Sequence, residues 1–152
     1  MLLVVGDGPL KNELRDYAET LGIQESVIFT GSRRDVPSLL AAMDIFVLPS
    51  LWEGLSISLI ESMAAGKPVI TTDIAPIREV VNTDKVGILV PPENSKTLAE
   101  AIELLLKNKD WAEHLGMAAR ERVFSTFNIE TTIRRYTDIF EEILRNKEWK
   151  TK

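Results

Sequence analysis

Two glutamates, Glu53 and Glu61, stand either side of seven residues in a segment that runs Leu48-Pro49-Ser50-Leu51-Trp52-Glu53-Gly54-Leu55-Ser56-Ile57-Ser58-Leu59-Ile60-Glu61. The apolar run 45–48 predicts a buried strand ending at Pro49, and the small residues up to Ser56 predict a loop. A helix then extends to about residue 65, with Ser56 or Ser58 able to cap it. A free helix N-terminus presents unpaired backbone N–H groups and a partial positive charge, so it attracts phosphate. Carboxylates would repel that phosphate unless they face uncharged hydroxyls beside it, because an ionised carboxylate only accepts hydrogen bonds. A diphosphate flanked by a ribose diol and a sugar ring meets that requirement, which is the chemistry of a nucleotide sugar.

Plainer roles compete for the same residues. Glu61 follows Ser58 by three and could complete a capping box, and Glu53 could be a solvated loop acid. Gly6-Asp7-Gly8 is an incomplete dinucleotide fingerprint with Lys11 at the third glycine position, and as a lone motif it reads as a turn. Gly66-Lys67 reads as a helix end, and Arg33-Arg34 as a solvated loop pair rather than a phosphate clamp. Trp52 suits either a stacking platform or a cap over the core. His114 reads as non-catalytic, and Trp111, Trp149, Tyr136 and Phe140 as core or edge packing.

The elements that must position these groups alternate. Residues 2–5, 27–30, 45–48, 69–71 and 87–90 predict short buried strands, and residues 10–21, 36–43, 56–65 and 77–81 predict intervening helices, with Gly22 closing the first and Asp35 capping the second. Beyond Pro91-Pro92 the pattern is helical over 97–106, 111–124 and 129–144, and residues 146–152 read as a frayed tail. Strand runs with little polar alternation, separated by helices, predict a Rossmann-like α/β fold: a doubly wound parallel sheet with a helical tail, spanning residues 1–146 as one domain. Ligands of such sheets gather beyond the carboxyl ends of the strands. The loops at Gly6–Pro9, Gly31–Arg34, Pro49–Ser58 and Thr72-Asp73 all fall there.

Composition narrows the chemistry. The 152 residues are 45% hydrophobic, enough to build a core without staples, and the net charge of −5 argues against a general nucleic-acid binder. With no cysteine and a single histidine the chain offers no thiolate or histidine metal constellation, so no structural metal is expected. No Asp-x-Asp pair is present to chelate a divalent cation at a diphosphate. The apolar run after Met1 stops at Gly6, short of a signal peptide or membrane span, and the expected location is cytoplasmic.

From Leu2 to about Leu144 the sequence resembles the C-terminal, donor-binding half of glycosyltransferase family 4, the group 1 glycosyl transferases of GT-B architecture. The matching blocks are Val4-Val5-Gly6-Asp7-Gly8-Pro9, Val27-Ile28-Phe29-Thr30-Gly31, the run from Ala42 to Ser50, the run from Glu53 to Ile70, and Gly87-Ile88-Leu89-Val90-Pro91-Pro92. The resemblance implies a retaining, metal-independent hexosyltransferase that takes a UDP-, GDP- or ADP-sugar as substrate and needs no cofactor. It implies that Glu61 binds the ribose hydroxyls and that Glu53 approaches the transferred sugar. It implies that the amides from Gly54 through Leu55, Ser56 and Ser58 to Leu59 hold the phosphates, with a hydroxyl from Ser56 or Ser58. Main chain around Ser32 and Arg33 would recognise the base, and Gly6 and Gly8 would let the first loop approach the ligand without a Cβ clash.

The same resemblance implies that the first strand of that half, with its basic pair for the diphosphate, and the whole N-terminal acceptor domain lie outside these residues. The chain alone is then expected to bind donor without transferring sugar, and the full-length enzyme to be cytoplasmic or membrane-peripheral. Ala75-Pro76 stands where family members often carry two glycines, which stiffens that loop. In full-length relatives the last helix crosses to the acceptor domain, so Ile133, Tyr136, Ile139, Phe140 and Ile143 would be left uncovered here and free to pair two copies. Two other readings share the fold: a nucleotide-sugar 2-epimerase domain, and a non-catalytic flavodoxin-like interaction module in which both glutamates are structural.

Overall fold

The computed structural model describes residues 1–146, so Trp149 and the expected frayed tail from 147 onward lie outside the described residues. The elements are β1 (Leu2–Val5), α1 (Lys11–Thr20), a 3-10 turn (Gln24–Ser26), β2 (Val27–Gly31), α2 (Val36–Ala42), β3 (Phe46–Leu48), α3 (Ile57–Ala64), β4 (Val69–Thr72), α4 (Ala75–Val80), β5 (Ile88–Val90), α5 (Ser95–Lys107), α6 (Lys109–Thr126) and α7 (Ile129–Asn146). Only the 3-10 turn has no counterpart in the sequence reading, because three residues are too few to set a period.

All strand pairs are parallel, as uninterrupted apolar runs predict, but they form two ladders rather than one sheet. β1 pairs with β2, and β3, β4 and β5 lie in that order. Among the described residues none supplies a strand joining the two ladders. The chain accordingly divides into two compact units, one ending at Leu39 and the other beginning at Leu40.

In the first unit β1 is not the buried strand its composition predicts: Leu2 and Val5 are exposed, and only Leu3 and Val4 are half-buried. Gly31 takes φ +69° and its carbonyl accepts the Gly6 N–H at 3.0 Å, which brings the ends of β1 and β2 together. Gly22, at φ +69°, turns the chain out of α1 as expected of a helix-ending glycine.

In the second unit β4 is buried at every position. Its side chains alternate between two apolar clusters. Val69 packs with Leu59, Met63, Ile77 and Ala119, and Ile70 packs with Val90, Ala101, Leu105 and Leu115. A strand covered on both faces reads as a continuous apolar run for this reason. Gly66, at φ +72°, ends α3 and lies against α6, where an added Cβ at Gly116 would sit 2.1 Å from the Gly66 carbonyl oxygen. Lys67 does more than follow that turn: its Nζ donates to the Ala41 and Met43 carbonyls at 3.1 and 2.8 Å, tying the end of α2 to the start of β4.

The helical tail is capped by asparagines that sequence reading passed over. Asn94 accepts from the Thr97 N–H at 3.0 Å ahead of α5, and Asn128 from the Thr131 N–H at 2.7 Å ahead of α7. Asn94→Ala is expected to cost about 1 kcal/mol of stability, read by urea unfolding, because one helix-start amide loses its acceptor. On α7 the apolar stripe of Ile129, Ile133, Tyr136, Ile139, Phe140 and Ile143 is exposed along its whole length. The Tyr136 and Phe140 rings stack at 6.4 Å, so these aromatics pack against each other rather than in a core.

Candidate functional site

β3 ends at Leu48, and the chain crosses a loop to enter α3 at Ile57. Two buried threonines of β4 anchor that loop: Thr71 Oγ1 donates to the Leu48 carbonyl at 2.9 Å, and Thr72 Oγ1 donates to the Ser50 carbonyl. Ser50 Oγ in turn donates to Glu53 Oε1 at 2.8 Å. Glu53 is half-buried while Leu51, Trp52, Gly54 and Leu55 are exposed, so between Leu51 and Leu55 only Glu53 is partly covered. Trp52 is 85% exposed and does not cap the core.

Ser56 is the residue before the helix, extended at φ −76° and ψ 102°, and its side chain makes no capping bond. Its hydroxyl instead lies 3.2 Å from that of Ser58. Ser58 is already the second helical residue, so the capping box with Glu61 does not form: from Ser56 the box position is Leu59, which is fully buried. The first backbone bond of α3 runs from the Ile60 N–H to the Ser56 carbonyl at 3.2 Å, leaving the amides of Ile57, Ser58 and Leu59 without an intrahelical partner. Ile57 and Ser58 are exposed, so the helix mouth is open to solvent.

Glu61 stands one turn along α3 from Ile57, on the exposed side away from buried Leu59, Ser62 and Met63. Cα–Cβ bonds in a helix tilt toward its N-terminus, so the Glu61 side chain leaves the backbone on the side of the open mouth. The second unit thus unites an anion-attracting helix start, a carboxylate on the loop before it and another within its second turn. It also brings in the loop after β4, through Thr72. There Asp73 accepts a forked pair of bonds from Arg78 at 2.5 and 2.9 Å, and this guanidinium holds the Asp73 carboxyl below its usual range.

The first unit gathers the other predicted residues at the ends of β1 and β2. Gly6 adopts φ +132°, a conformation that favours glycine whatever space surrounds it, whereas an added Cβ at Gly8 meets nothing within 4 Å. Asp7 accepts from the Gly8 N–H at 3.0 Å and from Lys11 Nζ at 2.9 Å, and the Lys11 ammonium chiefly lowers its pKa. Lys11, at the absent third glycine position, therefore closes the turn by an ion pair. Ser32 and Arg33 are exposed, and Arg33 forks onto Asp35 at 2.8 and 2.6 Å, which lowers the Asp35 pKa. With its carboxylate so engaged, Asp35 caps α2 only through its carbonyl, which accepts from the Ser38 N–H at 3.0 Å.

Glu53 and Glu61 line neither of two cavities. One of about 730 Å³ is lined by Ile88, Leu104, Trp111, His114 and Leu115, and one of about 530 Å³ by Arg15, Val27 and Phe29. The His114 Nδ1 rests against the Asp110 carbonyl of its own helix. Among the described residues no group of three metal-ligating side chains comes together, and no helix is long and apolar enough to cross a membrane.

Residues 1–122 match the family described as glycosyl transferases group 1. The chain belongs to that family. An N-acetyl-alpha-D-glucosaminyl L-malate synthase of Bacillus anthracis is 33% identical over 95% of the chain and 38% of its own length. A GDP-mannose-dependent alpha-(1-6)-phosphatidylinositol monomannoside mannosyltransferase of Mycobacterium tuberculosis is 32% identical over 90% of the chain and 38% of its own length. Anabaena HepE, whose crystal structure contains UDP-glucose, superposes with a TM-score of 0.84 at 26% identity, over 92% of this chain and 40% of that one. The chain thus spans about 38% of the length of these curated relatives and has the parallel α/β fold of a GT-B glycosyltransferase C-terminal domain.

Proposed function

We propose that this chain is the donor-binding domain of a retaining hexosyltransferase that takes a nucleotide diphosphate sugar. One observation carries the reading: the amides of Ile57, Ser58 and Leu59 have no intrahelical partner at the exposed start of α3, and along the chain they stand between Glu53, whose carboxylate accepts from Ser50, and Glu61, within the region matched to the family. The amides from Gly54 to Leu59 take the diphosphate, with a hydroxyl from the Ser56 and Ser58 pair. Glu61 accepts from the ribose diol and Glu53 from hydroxyls of the transferred sugar. Charge developing on the departing diphosphate is stabilised by the helix start, which needs no reorganisation as the sugar–phosphate bond breaks.

Transfer also requires an acceptor-binding domain outside these residues, which would cover the α7 stripe. A site lacking that wall cannot exclude water, so the chain by itself binds donor and leaves sugar untransferred. Pairing of two copies through the same stripe is the other use of that surface, and sedimentation of the chain distinguishes a dimer from a monomer.

Amide NMR with calorimetry tests the donor site. One of UDP, GDP or ADP is expected to bind, to shift the Ile57, Ser58 and Leu59 amides most, and to bind as well in EDTA as without it, since no metal or cofactor is assigned a role. Absence of binding by all three nucleotides removes the proposal and favours an interaction module.

A further inference from the structure

We infer that Ser50 is a positioning residue for Glu53, anchored to the sheet by Thr72, and that this relay acts on recognition of the sugar rather than of the nucleotide. The inference rests on the donor-binding reading above and adds to it two residues with no ligand contact assigned. The relay has three links. Thr72, 2% exposed at the end of β4, donates its hydroxyl to the Ser50 carbonyl. That bond fixes the Ser50 backbone two residues beyond the end of β3, where the ladder itself no longer holds the chain, since the last β3 and β4 partners are Leu48 and Thr71. Ser50 Oγ then donates to Glu53 Oε1 at 2.8 Å.

A glutamate on an exposed loop has three freely rotating side-chain bonds and gains little by facing inward, because water solvates its charge equally well outside. Glu53 nevertheless sits half-buried among exposed neighbours. The Ser50 hydroxyl supplies the reason: it occupies one lone pair of Oε1 and leaves Oε2 and the remaining Oε1 lone pair for incoming hydroxyls. A carboxylate already ordered loses less rotamer freedom when the sugar arrives, so its hydrogen bonds contribute more to affinity. Among the described residues the hydrogen bonds of Ser50 run to Glu53 and Thr72 and not to the helix mouth amides or Glu61, so phosphate and ribose binding should not depend on it.

The test compares Kd for UDP and UDP-glucose, and for GDP and GDP-mannose, by calorimetry on the wild-type chain and on Ser50→Ala, Ser50→Thr, Thr72→Val and Glu53→Ala. For the pair whose nucleotide binds, Ser50→Ala should keep nucleotide affinity within about twofold and reduce the extra affinity of the nucleotide sugar by about tenfold, one oriented charge-assisted hydrogen bond. Ser50→Thr, which keeps the hydroxyl, should restore it. Thr72→Val should move it the same way by a smaller factor, with melting temperatures held near wild type. The inference is overturned if Glu53→Ala removes the sugar's contribution while Ser50→Ala leaves it intact, if Ser50→Ala weakens nucleotide and nucleotide sugar equally, or if the wild type gains nothing from the sugar. Failure of the wild type to bind either nucleotide would instead overturn the donor-binding reading, and this inference with it.

Discussion

Glu61→Ala is expected to weaken nucleotide diphosphate binding by roughly 1–3 kcal/mol, about fivefold to 150-fold in Kd, while leaving the melting temperature close to wild type. Glu61 is exposed, and its part in the fold is the backbone carbonyl that accepts the Ala65 N–H at 2.9 Å, a bond alanine keeps. The substitution therefore removes a carboxylate without leaving a buried partner unsatisfied, and alanine is the better helix former. On the donor-binding reading proposed above, what is lost is an acceptor for two vicinal hydroxyls next to a helix start that takes the phosphates. Glu61→Gln should fall between wild type and alanine, because its amide keeps one acceptor oxygen but loses the charge. Unchanged affinity in a folded Glu61→Ala variant would take the ribose role away from this residue. A drop in melting temperature with affinity intact would show that the carboxylate supports α3 after all.

Much of the fold was legible because apolar runs of four and helical repeats of three to four are direct images of burial. Val69 and Ile70 read as a buried strand, and they are. Leu2 to Val5 read the same way yet is half exposed, since the pattern reports what a strand could bury and not whether a neighbour is there to cover it. The candidate site was legible at the level of residue types: a small-residue loop, a helix start and two flanking acids. Its local wiring was not. A cap at Ser58 requires the helix to begin at Leu59, but it begins two residues earlier, and boundaries of one or two residues are beyond what propensity fixes. The Ser50 bond to Glu53 and the Thr72 bond to Ser50 depend on loop shape and on which strand lies alongside, and neither is encoded in spacing. The Arg33–Asp35 fork is another such case: the sequence reads Arg33 with Arg34 as a solvated loop pair and Asp35 as a cap, and the observed fork engages both side chains with each other instead.

Gly116→Ala is expected to destabilise the fold by about 2 kcal/mol or more, against the sign that helix propensity alone gives. Within α6 an alanine would ordinarily gain about 1 kcal/mol over glycine. At this position, however, the new methyl group would lie 2.1 Å from the Gly66 carbonyl oxygen, 3.0 Å from its carbon and 3.2 Å from the Pro68 nitrogen. All three are backbone atoms of the turn that ends α3, so no side-chain rotation relieves the overlap, and α6 must move away from that turn. Overpacking costs roughly 1–3 kcal/mol and occasionally more, and contact this close belongs at the upper end. The displacement would also loosen Ala119 and Val123, which pack from the same helix onto Leu59 and Met63 of α3. For a chain of this size the loss should lower the melting temperature by about 5–8 °C, with a matching shift of the urea midpoint. Gly8→Ala is the control, since an added methyl there meets nothing within 4 Å, and its effect on stability should stay within about 0.5 kcal/mol. Stabilisation by Gly116→Ala of about 1 kcal/mol would mean that propensity outweighs contact, and that α6 does not rest on the backbone of residues 66–68 in solution.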